Sequence, residues 1–173
     1  GLSLNFANKI LIISSIILFH LSPFLLNKSI LSEFKKIKNL NLFVFFIVFL
    51  ICLFYFDYVP NYTGGGVFFQ ISHYFFNNNY FFYFISLVSI FILCFFSYKN
   101  LNNILIFIIL IVSNIQNTIY HKYYDPLILI IFFTIISNYL VKNFFVKKNS
   151  IYYLYTFYIG FICLRLVKNN IFA

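Results

Sequence analysis

Between two long apolar runs the chain places Tyr120-His121-Lys122-Tyr123-Tyr124-Asp125-Pro126, a histidine, a lysine and an aspartate among three tyrosines. The chain is 63% hydrophobic and only 9% charged, so a cluster this dense has a purpose beyond solubility. Two kinds of chemistry fit the residue types. Lys122 and His121 beside tyrosines can hold a phosphate or diphosphate, with the cations stabilising negative charge that builds on a leaving group. The plainer alternative is an internal pair: Lys122 with Asp125 at i,i+3, or His121 with Asp125 at i,i+4, meet across one helical turn.

A second group lies upstream, where Asp57 is followed by Gly64-Gly65-Gly66 and then by Gln70 and His73. The glycines break any helix and permit close backbone approach, either to a ligand through exposed amides or as a simple hinge. The G-x-x-x-x-G-K-[ST] pattern is missing and no strand flanks the run, which excludes a phosphate-binding P-loop. Gln70 and His73, at i,i+3, share one face of a short amphipathic helix. Asp57 is placed to act as a general base or metal contact from the loop beside it, yet no residue is assignable as catalytic. Two acids with two histidines do not define a metal centre. Cys52, Cys94 and Cys163 each sit alone inside an apolar run, so neither metal nor cofactor is expected. His20, within the first apolar run, is an intramembrane ligand or proton site, or else a neutral histidine bonded to a nearby helix or sitting at the interface.

The elements that must position these residues are oily. A mean hydropathy of +0.95 with 25% aromatic residues over 173 residues leaves too little polar surface for a water-soluble fold. The runs predict an all-α, polytopic membrane protein with about six transmembrane helices near 10–26, 40–56, 80–97, 104–119, 127–140 and 151–167. The segment after the glycines adds one re-entrant or interfacial amphipathic helix. Pro23 predicts a kink near Phe19 in the first span. Pro126 suits the opening position of the fifth. Ser113, Asn114, Gln116, Asn117 and Thr118 make the end of the fourth polar, so that end must face protein or an aqueous cavity.

The net charge of +9 is scattered over short connectors and forms no basic face, which argues for membrane topology and against a nucleic-acid partner. The loop 27–39 carries Lys28, Lys35, Lys36 and Lys38 against Glu33, and the loop 141–150 carries Lys142, Lys147 and Lys148. Both are expected on the cytoplasmic side of a bacterial inner membrane. Asp57, Gln70, His73, His121, Lys122 and Asp125 then all emerge on the external face. A chain that starts at Gly1 and contains no methionine is expected to be the C-terminal portion of a longer one.

The segment His121-Lys122-Tyr123-Tyr124-Asp125-Pro126-Leu127 resembles the pattern of basic residue, tyrosine and proline that precedes a late transmembrane helix in membrane glycosyltransferases of the GT-C type. The resemblance implies many membrane helices, an active site on the external face and a polyprenyl-phosphate-linked sugar as donor. Lys122 and His121 would contact the donor phosphate, with Tyr123 and Asp125 in the same substrate-binding segment. The acidic catalytic motif of that family, in an early external loop, has no copy here, and Asp57 is not equated with it. The competing readings are a transporter or channel subunit, with His20, His73 and Lys122 lining a pathway, and a structural membrane subunit without catalysis.

Overall fold

The computed structural model describes residues 5–25, 39–59, 64–98, 100–114, 116–135 and 150–171. Among these the chain is all-helical and forms no strand. The helices are α1 (Phe6–Leu25), α2 (Asn39–Phe54), α3 (Gly66–Phe76), α4 (Tyr80–Tyr98), α5 (Leu101–Val112), α6 (His121–Thr134) and α7 (Ser150–Ile171). Two helices, Phe6–Leu25 and Tyr80–Ser97, are long and apolar enough to cross a membrane, and shorter apolar stretches occupy Asn41–Phe54, Asn102–Val112 and Ser150–Leu166. The two basic loops lie outside the described residues.

Helix α1 is the hub of the fold and packs against each of the other six helices. Its sequence explains the position. Leu11, Ile12, Ile13, Ile16, Ile17, Leu21 and Phe24 surround its axis, and a helix that is apolar on every side is stable only when other elements cover it all round. The hydroxyls buried with it turn back onto their own helix: Ser14 donates to the Leu11 carbonyl, Ser15 to Ile12 and Ser22 to Leu18. From a neighbouring helix, the Ser86 hydroxyl of α4 donates across to the Leu11 carbonyl at 3.3 Å. The helix runs on through Pro23 to Leu25.

The outer helices carry apolar residues on both faces. On α7, Leu154, Phe157, Tyr158 and Phe161 are partly buried, at the i, i+3, i+4 and i+7 spacing of an inward stripe. Elsewhere the helix exposes Ile151, Tyr152, Tyr155, Ile159, Ile162 and Leu166. Helix α2 likewise exposes Phe43, Val44, Phe46, Ile47, Leu50 and Ile51.

Two boundaries differ from the run lengths in the sequence. Helix α5 ends at Val112, so Ser113, Asn114 and Gln116 to Thr118 lie in a connecting segment, not a polar helix end. Helix α6 starts at His121, five residues before Pro126. The physical reason is the pairing of His121 with Asp125, which closes the opening turn upstream of the proline.

A buried histidine, aspartate and histidine cluster inside the bundle

Tyr120 is extended (φ −94°, ψ 129°) and accepts a hydrogen bond from the Tyr123 amide at 3.2 Å, which starts the helical turn at His121. In that turn, residues one apart point in different directions. His121 and Asp125 share one face and Tyr124 lies on the flank beside them, buried and hydrogen-bonded to Asn114 of the preceding turn. Lys122 and Tyr123 are exposed on the other side. The Lys122 ammonium lies over the rings of Tyr120 and Tyr123, at 5.2 and 5.3 Å from their centroids. The structure thus splits the sequence cluster into an inward pair and an outward cation.

The inward pair meets His20, which α1 presents from its fourth turn. Nδ1 of His121 lies 2.7 Å and Nε2 of His20 lies 3.1 Å from the same oxygen of Asp125. The other nitrogen of His20, Nδ1, lies 3.1 Å from the Tyr158 hydroxyl on α7. The two imidazoles stack, with centroids 5.2 Å apart and planes 25° from parallel. Phe19 packs edge-on against both imidazoles and also against Phe157 and Phe161 of α7. His20 is 1% exposed and His121 13%, whereas the Asp125 side chain is 33% exposed and so forms the open edge of the cluster. Nε2 of His121 is buried and has no hydrogen-bond partner.

This arrangement is chemically specific. A carboxylate oxygen that faces two imidazole nitrogens either accepts two N–H donors or joins the two nitrogen lone pairs in binding a cation. Because aromatic rings line the interior side, solvent is kept from the two histidines.

The glycine turn reaches the same neighbourhood from the other side. Gly65 (φ +91°) and Gly66 (φ +78°) adopt backbone that a side chain would strain, and the Gly65 amide donates to the Ile119 carbonyl at 2.9 Å. A Cβ on Gly64 would collide with the Tyr58 hydroxyl and Thr118, and one on Gly66 would press on Ile16 of α1 at 3.0 Å. The Gln70 amide donates to the Gly64 carbonyl. The Tyr58 hydroxyl accepts from the Ile119 amide at 3.4 Å; burial raises the Tyr58 phenol above its ordinary range despite that contact. The glycine turn and the connector before α6 therefore converge, but as a packed joint. The Gly65 amide is spent on protein and does not offer itself to an anion.

The structure does not bring the remaining candidates into this cluster. Asp57 is exposed at the N-terminus of α1, where its carboxylate accepts from the side-chain amides of Asn5 and Asn8 at 2.6 and 2.7 Å. Asn8 precedes His20 by twelve residues, which places the two levels about 18 Å apart along the helix axis. His73 lies in α3, where its carbonyl takes the Asn77 amide at the helix end and its ring packs on Tyr74. Of the expected group on one face, Asp57, Gln70, His73, His121, Lys122 and Asp125, the structure brings His121 and Asp125 together, turns Lys122 outward and sets Asp57 apart from them along α1. Comparison with protein families, with curated proteins and with solved structures gives no match.

His20 and Tyr158 are the members that the spacing of residues did not supply. His20 is 105 residues from Asp125 and 138 from Tyr158 in sequence. The signal that pointed to His20 was a lone imidazole in an otherwise apolar run. Tyr158, one tyrosine of 15, carried no such signal.

Proposed function

We propose that this chain is the multi-pass membrane portion of a transferase that takes a sugar from a polyprenyl-phosphate carrier, with Lys122 contacting the donor phosphate. The observation that carries the reading is the placement of Lys122, a cation exposed at the start of α6 and held between two tyrosine rings. A phosphate docks on such a cation from outside, while the rings offer apolar surface to a sugar or isoprenoid. His121, turned inward onto Asp125, is no longer available as the second phosphate contact that the sequence resemblance implied. The broad exposed apolar faces of α2 and α7 support a lipid environment, within which the sequence runs are read as six spans. The basic loops 27–39 and 141–150 set the cytoplasmic side, in keeping with a bacterial inner membrane.

The test is donor binding by the full chain in lipid nanodiscs with a radiolabelled polyprenyl-phosphate sugar. Lys122→Ala is expected to abolish saturable binding, and Lys122→Arg to retain part of it. Unchanged binding by Lys122→Ala sinks the reading.

A second reading, a transporter or channel subunit, is favoured by one observation. An intramembrane histidine bonded on both ring nitrogens to groups on two other helices is the kind of element that relays protons or ions. Under that reading His20→Ala removes transport, and the unaltered chain shows no saturable donor binding, the reverse of the transferase pattern.

A further inference from the structure

We propose that His20, His121 and Asp125 bind one divalent transition-metal ion of the zinc class, with three protein ligands and one open position. The site does not rest on the transferase reading and involves neither the donor nor Lys122.

Four observations carry it. First, the three donor atoms, Nε2 of His20, Nδ1 of His121 and a carboxylate oxygen of Asp125, lie within 4.8 Å of one another. A tetrahedral ion about 2.1 Å from each ligand sets the donors roughly 3.4 Å apart. The two nitrogen-to-oxygen distances, 3.1 and 2.7 Å, are already close to that, so small side-chain rotations complete the geometry.

Second, the donor set is selective. Two imidazoles with one carboxylate suit zinc or a neighbouring transition metal, whereas calcium and magnesium demand oxygen ligands throughout. Third, the outer contact that such a site needs is in place. A histidine that binds metal through Nε2 donates its Nδ1 proton to a fixed acceptor, and the Tyr158 hydroxyl stands 3.1 Å from Nδ1 of His20. Fourth, the surroundings hold the ligands and leave an entrance. Phe19 and Phe161 pack against the imidazole of His121, Phe19 against that of His20, and the partly exposed Asp125 carboxylate opens the cluster to its fourth side.

The hydrogen-bonded cluster without metal leaves Nε2 of His121 buried and unsatisfied. In the loaded state both imidazoles are neutral: His20 carries its proton on Nδ1 toward Tyr158, and His121 carries its proton on Nε2. Because Nδ1 of His121 faces the other two donors, its Nε2–H points away from the ion and takes no part in the open position.

The experiment uses the full chain in detergent micelles or nanodiscs, stripped with a chelator and titrated with cobalt(II), followed by competition with zinc. One equivalent of cobalt is expected, with the visible absorption of a four- or five-coordinate ion that zinc abolishes. Asp125→Asn and His121→Gln should lose stoichiometric binding. Tyr158→Phe, which keeps the ring but drops the hydroxyl, should weaken it about 10- to 100-fold. His73→Ala and Lys122→Ala should bind like the unaltered chain. Circular dichroism of each variant separates lost binding from lost fold.

The proposal is overturned if the unaltered, folded chain binds no cobalt above the His121→Gln level, or if binding follows His73. In the first case the cluster is a hydrogen-bonded strut between α1, α6 and α7. Since no donor lipid is present, failure of the transferase reading leaves this result untouched, and the converse holds as well.

Discussion

Two carboxylates contact the central helix, and they do opposite things. Asp57 sits in the open at the N-terminus of α1, accepts hydrogen bonds from the amides of Asn5 and Asn8, and takes the Asn8 side-chain oxygen onto its own backbone N–H at 3.1 Å. A carboxylate there is favoured by the free amides and the positive end of the helix dipole, so the contact ties the end of α2 to the start of α1. Asp125 meets the same helix at its fourth turn, flanked by two imidazoles and a cluster of phenylalanines. Neutral amide partners make a fastening. Titratable partners that also bind metals, held away from water, make a site where protons or cations can be exchanged. The more exposed acid is thus bonded to neutral amides, and the half-buried one faces the titratable groups.

The largest effect expected in that comparison is on the buried side. Asp125→Ala removes the acceptor shared by two buried imidazoles, and should destabilise the folded chain by ~3 kcal/mol, read as a lowered midpoint in thermal unfolding followed by circular dichroism. A cost below that of Asp57→Ala would erase the distinction between the two carboxylates.

Gly65→Ala comes next. The residue holds φ +91° and an added Cβ would strike the Phe69 ring, so the turn that carries the bond to Ile119 must shift. A loss of ~2 kcal/mol is expected, together with weaker cobalt binding if the connector before His121 moves with it. Asp57→Asn should cost about 0.5–1 kcal/mol, because an exposed helix-end contact contributes no more than that; raising the salt concentration should shrink the difference between the two proteins. Smallest is Lys122→Ala, with a stability change of about 0.5 kcal/mol or less, since the cation lies over tyrosine rings at the surface. A large destabilisation there would show that Lys122 is a packing element and not a free contact for a donor.

The helices were largely legible in the chain. Runs of Ile, Leu and Phe long enough to make four or five turns announced α1, α2, α4 and α7 to within a few residues at most ends. The short helix after the glycines was also announced, by the i,i+3 spacing of Gln70 and His73 and by the breakers around it. The end of α5 was not legible. Polar residues after Val112 satisfy a helical pattern as well as a turn, and the choice was made by Asn114, which bonds the Gln116 amide at 3.0 Å and the buried Tyr124. At the cluster itself, the sequence supplied the i,i+4 pairing of His121 with Asp125, a local property of any helical turn. It could not supply the direction of Lys122 relative to that pair's environment, which depends on which face of α6 meets α1.

Composition and run length alone determined that this chain is all-helical and that its helices have apolar surfaces, because backbone amides in oily segments must bond within their own turns. The tertiary structure alone decided that His20 on one helix, Asp125 and His121 on a second and Tyr158 on a third share one small volume. Side chains more than a hundred residues apart meet only where the packing of helix on helix brings them, and that packing is set by the shapes of many apolar residues together, not by any motif that includes the four.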